Sequence, residues 1–159
     1  MVRVSETSML KSSVLLRNSE RKDNPINDSL SILAALNWQI SSRDAYFSTG
    51  IFFETVITDS PLLESTAKGA TVSAILSRSL GISPSAQIKY DQREFTKWAG
   101  GANRRADKSV SAEFAFDFTN IDYFGFSPVL NFGYRKVSSN VDIFDREGAT
   151  VGLTVKSRF

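Results

Sequence analysis

Apolar and polar residues alternate one for one through eight stretches of this chain. In the last, Ala149, Val151, Leu153, Val155 and Phe159 share one phase, while Thr150, Gly152, Thr154, Lys156 and Arg158 share the other. Successive side chains of an extended strand point to opposite faces, so a period of two predicts a strand with one apolar and one polar face. The sixth stretch is the cleanest: Val110, Ala112, Phe114, Phe116 and Phe118 interleave with Ser109, Ser111, Glu113, Asp117 and Thr119. The others run through Leu10–Leu16, Leu30–Ile40, Phe47–Ile57, Ala70–Leu76, Ile82–Tyr90 and Phe126–Tyr134. No stretch has a helical period.

The connections between these stretches alternate as well. Those around 18–28, 59–68, 96–107 and 138–147 are long and polar, whereas those around 41–44, 80–82 and 121–125 are short. Long loops at one end and tight turns at the other are how outer-membrane barrels separate exterior from periplasm. The expected fold is therefore all-β: an antiparallel up-and-down transmembrane barrel with eight strands visible. Residues 1–159 would form one barrel domain or the C-terminal portion of a larger barrel.

Periodicity alone does not say which face looks outward. A lipocalin-like soluble barrel places its apolar phase inside, and a membrane barrel places it outside. Stretches of about 9–13 residues suit a tilted strand crossing hydrocarbon. Aromatics also gather at stretch ends, where Trp38, Tyr46, Phe47, Tyr123, Phe124, Phe126 and Phe159 would line the periplasmic rim. Arg78, near a short turn, could reach the interface. These features favour the membrane barrel and a place in the bacterial outer membrane. A final strand ending on an aromatic is the form in which such barrels present themselves to the barrel-assembly machinery. Val151, Leu153, Val155 and Phe159 are thus the expected assembly signal, with outer-membrane lipid as a second partner. The N-terminus lacks a secretory signal's pattern, so the export signal is expected upstream.

In that arrangement the polar phase faces a lumen. Lys89, Asp91, Arg93, Glu113, Asp117, Arg135, Lys156 and Arg158 are its expected charges, joined by Lys11, Arg17 and Glu54. In a closed eight-stranded barrel they would pair with one another, and in a wider one they would line water.

Composition narrows the chemistry. The 159 residues include no Cys and no His, which removes disulfides, thiolate metal sites, Cys nucleophiles and Ser–His hydrolysis. Nineteen basic against 17 acidic residues leave a net charge of only +2, weak grounds for a nucleic-acid partner, and none is expected. Glu113 and Asp117 lie four residues apart on one face, about 13 Å at the strand's rise and too far for a glycosidase pair. Gly100-Gly101 has no following helix to make a phosphate site. No catalytic residue, cofactor or metal is expected. Arg104, Arg105 and Lys108 form a small basic cluster, read as a solvated loop.

Several motifs in the final third resemble the surface lipoprotein assembly modifier family. Ala102-Asn103-Arg104-Arg105-Ala106-Asp107 is similar to that family's Arg-x-Asp feature ahead of a late strand. Gly125-Phe126-Ser127-Pro128 resembles its Gly-Phe-x-Pro turn. Ser139-Asn140, with Phe144, Arg146 and the strand to Phe159, resembles its ending, although Ile143-Phe144-Asp145-Arg146 stands where a Tyr-rich motif is expected. The resemblance covers roughly 100–159. It implies Arg105, Asp107, Gly125, Phe126, Pro128, Ser139 and Asn140 as motif residues, and surface lipoproteins as cargo moved across the outer membrane. It also implies a barrel of more than eight strands following a periplasmic helical-repeat domain. Two other readings stay open: a free-standing eight-stranded structural or adhesion barrel, and a soluble ligand-binding barrel.

Overall fold

A computed structural model describes residues 2–3, 7–19, 28–60, 62–77, 81–97 and 104–157. All eight expected strands are present: β2 (Ser8–Ser19), β3 (Ser29–Ser41), β4 (Ala45–Thr58), β5 (Ser65–Leu76), β6 (Ile82–Phe95), β7 (Ala106–Phe118), β8 (Phe126–Ser139) and β9 (Arg146–Ser157). A two-residue strand, β1 (Val2–Arg3), precedes them and pairs with Met9 and Leu10. Each strand is antiparallel to its neighbour in sequence, giving one sheet in the order β1 to β9. The one helical element among the described residues is a 3-10 turn, Asp142–Phe144. The last two residues of the expected assembly signal's strand, Arg158 and Phe159, lie outside the described residues, as do Arg78 and Gly100-Gly101.

The loop-length rule is softened. Strand pairing continues through Thr58 and restarts at Ser65, and it runs from β8 to Ser139 and restarts at Arg146. Those two connections are consequently no longer than the one between Phe118 and Phe126 at the opposite end. Polar residues near strand ends carry the ladder further than their composition suggests, because backbone pairing does not depend on side-chain polarity. Strands of 12–14 residues, tilted as in barrels, span roughly 30 Å.

Burial decides the question of faces. Along β3, Leu30, Ala34, Leu36 and Trp38 are exposed, while Ser31, Leu33, Ala35, Asn37 and Gln39 between them are partly covered. Register carries the same division across the sheet: Ile51, Val72, Ile88, Val110, Phe114, Phe132, Val151 and Leu153 are all exposed. Among the described residues only Ala67 and Val137 are buried apolar side chains, whereas Ser65, Asp91, Asp107, Ser109 and Ser127 are buried polar ones. A water-soluble sheet buries its apolar face, since that burial drives folding. Here the polar face is the covered one.

That face is also where strands two apart meet. Arg93 Nη2 of β6 reaches Glu54 Oε2 of β4 at 2.6 Å, over Ala67 of β5, which is 2% exposed. Lys156 Nζ of β9 reaches Asp117 Oδ2 of β7 at 3.1 Å, over Ser127 of β8, which is wholly buried. Small residues beneath each bridge let the sheet curl toward its polar side. Gly69 serves the same curvature: a Cβ there would lie 2.6 Å from the Phe52 ring that covers it.

At the β7–β8 turn, Tyr123 and Phe126 exchange backbone hydrogen bonds at 2.9 and 3.1 Å around Phe124 and Gly125. Both central residues have positive φ, 51° and 78°, the geometry of a type I′ hairpin turn, where Asn-Gly is preferred. The Asp122 carboxylate accepts the Gly125 N–H at 2.7 Å. Gly125→Ala is expected to cost about 1–2 kcal/mol, since a Cβ is penalised in left-handed backbone, and Phe124→Asn is expected to stabilise, since Asn adopts that backbone far more readily than Phe. Opposite shifts of the urea midpoint would check both.

Candidate functional site

The residues with the densest set of specific contacts sit at the loop end of β6, β7 and β8. Arg105 and Asp107 are two apart at the start of β7 and therefore share a face. Arg105 Nε donates to Asp107 Oδ1 at 3.0 Å, and its Nη2 donates to Oδ2, a two-pronged pair. The two side chains are 15% and 8% exposed. The Arg105 guanidinium also lies 4.2 Å from the Phe95 ring centre and 3.4 Å from that of Phe144. A planar cation stacks on aromatic faces while its edge keeps the carboxylate.

Three polar side chains hold Phe144 there. Asn140 extends the β7–β8 ladder past Ser139: its N–H donates to Ala106 O, its Oδ1 accepts from Ala106 N at 2.8 Å, and its Nδ2 donates to Arg104 O at 2.8 Å. Asp145 Oδ1 accepts the Ser139 N–H at 2.6 Å, and Ser139 Oγ accepts from Val141 N at 3.2 Å. The β8–β9 connection is thereby folded back over the β6–β7 pair, with Phe144 pressed on Arg105. These contacts correct the expectation of a solvated basic loop: Arg104 is exposed, but Arg105 is enclosed by stacking and by its carboxylate.

The motif residues are not all together. Arg105, Asp107, Ser139 and Asn140 converge in this cluster, with Asp107 directly opposite Ser139. Gly125, Phe126 and Pro128 lie a full strand away at the turn end. Gly125 shapes the turn, Phe126 closes it, and Pro128 faces outward opposite Val155.

Register puts Lys89, Asp91, Arg93, Glu113, Asp117, Arg135 and Lys156 all on the polar face. They divide into three groups. Arg93 joins Glu54 and donates to Ser65 Oγ at 2.9 Å, while Ser31 Oγ donates to Glu54 Oε1 at 3.1 Å. Asp117 joins Lys156 and accepts from Ser127 Oγ at 3.2 Å. Between them, Lys89, Asp91, Glu113 and Arg135 surround a cavity of about 280 Å³. There Lys89 pairs with Asp91 at 3.7 Å and rests 4.7 Å over the Phe52 ring. Val151, Leu153 and Val155 lie on the apolar face of β9.

Sequence reasoning passed over Phe95, Ser31 and Ser65. Phe95 carried a signal, since it continues the phase of Asp91 and Arg93. The two serines carried none, because which charge a hydroxyl meets on the neighbouring strand depends on register, which linear order does not mark.

A family model described as surface lipoprotein assembly modifier matches residues 7–159. Neither curated proteins nor solved structures give a match.

Proposed function

The chain belongs to the surface lipoprotein assembly modifier family, and from that premise we propose that it forms an outer-membrane β-sheet that helps carry lipoproteins across that membrane to the cell surface. The observation behind this reading is the inverted sheet: apolar residues exposed on one face, charged and hydroxyl residues covered on the other. In hydrocarbon every strand must present apolar side chains outward and satisfy its backbone through pairing, and each strand here is paired with its neighbour in sequence. The polar, curled face offers passing polypeptide hydrogen-bonding groups, with Leu15 and Ile75 its exposed large apolar side chains among the described strands. A soluble ligand-binding barrel needs the reverse orientation of faces.

The test is surface display. Cells lacking the gene are expected to lose protease-accessible lipoprotein on intact cells while its total amount stays unchanged, with recovery on complementation. Unaltered display would refute the reading. Separately, the protein refolded in detergent is expected to migrate differently on gels before and after boiling.

A further inference from the structure

The outward face of the sheet is apolar through its middle and charged at one end only. Every charged side chain on the outward phase of a described strand lies near the loop end: Lys68 on β5, Glu94 on β6, Lys108 on β7, Lys136 on β8 and Glu147 on β9. On these five adjacent strands the outward apolar run stops at Ala70, Tyr90, Val110, Tyr134 and Ala149. The next outward positions toward the loops are Lys68, Gln92, Lys108, Lys136 and Glu147. Tyr90 and Tyr134 mark the depth at which amphipathic rings meet lipid headgroups. A charge at that rim is cheap on the lipid face, so its cost alone would allow lysines at both ends of the strands. Among the described strands the turn end has no outward charge, and the asymmetry needs a cause at the loop end.

The three lysines differ in their partners. Lys136 pairs with Glu147 at 3.6 Å. Lys68 and Lys108 are exposed and make no ion pair among the described residues. They flank Gln92, which stands opposite both in register, so their backbones are roughly 10 Å apart across two strand spacings. Gln92 Nε2 donates to Tyr90 Oη at 2.6 Å, and Ser138 continues the row beyond Lys108. A cavity of about 350 Å³ opens beside the row, with Gln92, Glu94, Lys108, Ser138 and Asn140 among its walls. Asn140 also donates to the Arg104 carbonyl at 2.8 Å, so a further exposed cation starts from the cavity's edge. The outward carboxylate in that wall, Glu94, lies one row further toward the loops. Beneath the row the surface is apolar and exposed at Val72, Ile88 and Val110. All of this lies on β5 to β8, each of which is flanked by a strand on both sides.

We propose that the outward row Lys68, Gln92 and Lys108 binds the phosphate groups of a phosphorylated lipid in the outer leaflet. The two ammonium groups donate charge-assisted hydrogen bonds to phosphate oxygens, and Gln92 and Ser138 supply neutral polar contacts to the rest of the headgroup. The apolar strip at Val72, Ile88 and Val110 takes the acyl chains, which is what selects a lipid over a free anion. The proposal rests on the membrane reading of the sheet, with its loop end outside, and not on the transport role.

The experiment uses the full chain refolded in uncharged maltoside micelles and two lipids, lipid A with two phosphates and the same lipid A with both removed. Native mass spectrometry counts the lipid bound. The phosphorylated form is expected to bind at least tenfold more tightly. The combined variant Lys68→Gln and Lys108→Gln is expected to cut that preference at least tenfold, whereas Lys136→Gln, whose lysine already has Glu147, should change it less than twofold. Equal affinities for the two lipids, or an unchanged preference in the double variant, would overturn the proposal. Displacement of the bound lipid by millimolar inorganic phosphate would assign the row to a free anion and overturn the lipid partner. Gel mobility before and after boiling reports insertion of each variant separately. A chain that inserts but shows no phosphate preference counts against this proposal alone, and a display defect with the preference intact counts for neither side of it but against no part of the row. A chain that stays water-soluble without detergent removes the membrane reading and the proposal with it.

Discussion

Phe114→Arg is expected to lower the stability of the membrane-inserted protein by about 2–4 kcal/mol, the cost of a basic side chain at mid-depth on the lipid face of a barrel. Phe114 stands near the middle of β7 on the apolar face, opposite Ala86 and Phe132, and is 46% exposed. Short of the rim, its replacement has little chance to snorkel. The matching change on the other face, Thr150→Arg, lies opposite Gly133 beside the polar cavity and is expected to cost less than about 0.5 kcal/mol. Urea-dependent refolding into phosphocholine vesicles, followed by gel mobility, measures both. Equal costs at the two sites would contradict the orientation of the sheet. A larger cost for Thr150→Arg would reverse it.

The second large effect belongs to Arg105. Arg105→Ala leaves the Asp107 carboxylate, 8% exposed, without its cation, and breaking a covered pair in this way costs about 3–5 kcal/mol. It also removes the surface on which Phe144 rests, so backbone exchange should rise across 140–145 before it rises elsewhere. Arg105→Lys keeps the charge but loses the fork and the flat stacking face. Its expected cost is smaller, about 1.5–3 kcal/mol for one charged hydrogen bond. In a double-mutant cycle with Asp107→Ala the combined loss should fall well short of the sum. If Arg105→Ala leaves both stability and exchange in 140–145 unchanged, the cluster does not hold the loop.

The cluster shows how far linear order reaches. Arg105 and Asp107 share a face because they are two apart in a strand, and that much follows from the period of two. Ser139 joins them only because β7 and β8 pair with Asp107 opposite Ser139, a register set by the turn at Phe124-Gly125. Phe95 ends β6 and Phe144 lies in the β8–β9 connection, and nothing in their spacing marks them as the two rings around one guanidinium. Arg105 therefore reads as a loop cation in sequence and is an enclosed one in the fold. The connections were misjudged for a related reason: Ser, Asn and Asp signal turns, yet Ser139 and Asn140 place their polar groups inside the β7–β8 ladder.

The eight long strands, their order and antiparallel pairing, and the division of each into an apolar and a polar phase were determined by sequence alone, because alternation is a local property of an extended chain; the short β1 was not. The absence of Cys and His was equally plain there. Which phase is covered was left to the tertiary structure, since both orientations obey the same period and only curvature separates them. The sheet curls toward its polar side because Ala67, Gly69 and Ser127 are small enough for Glu54 to reach Arg93 and for Asp117 to reach Lys156 over them. Those bridges join residues 39 positions apart in each case, on strands that are neighbours but one. Contacts at that range arise only when the whole meander is assembled.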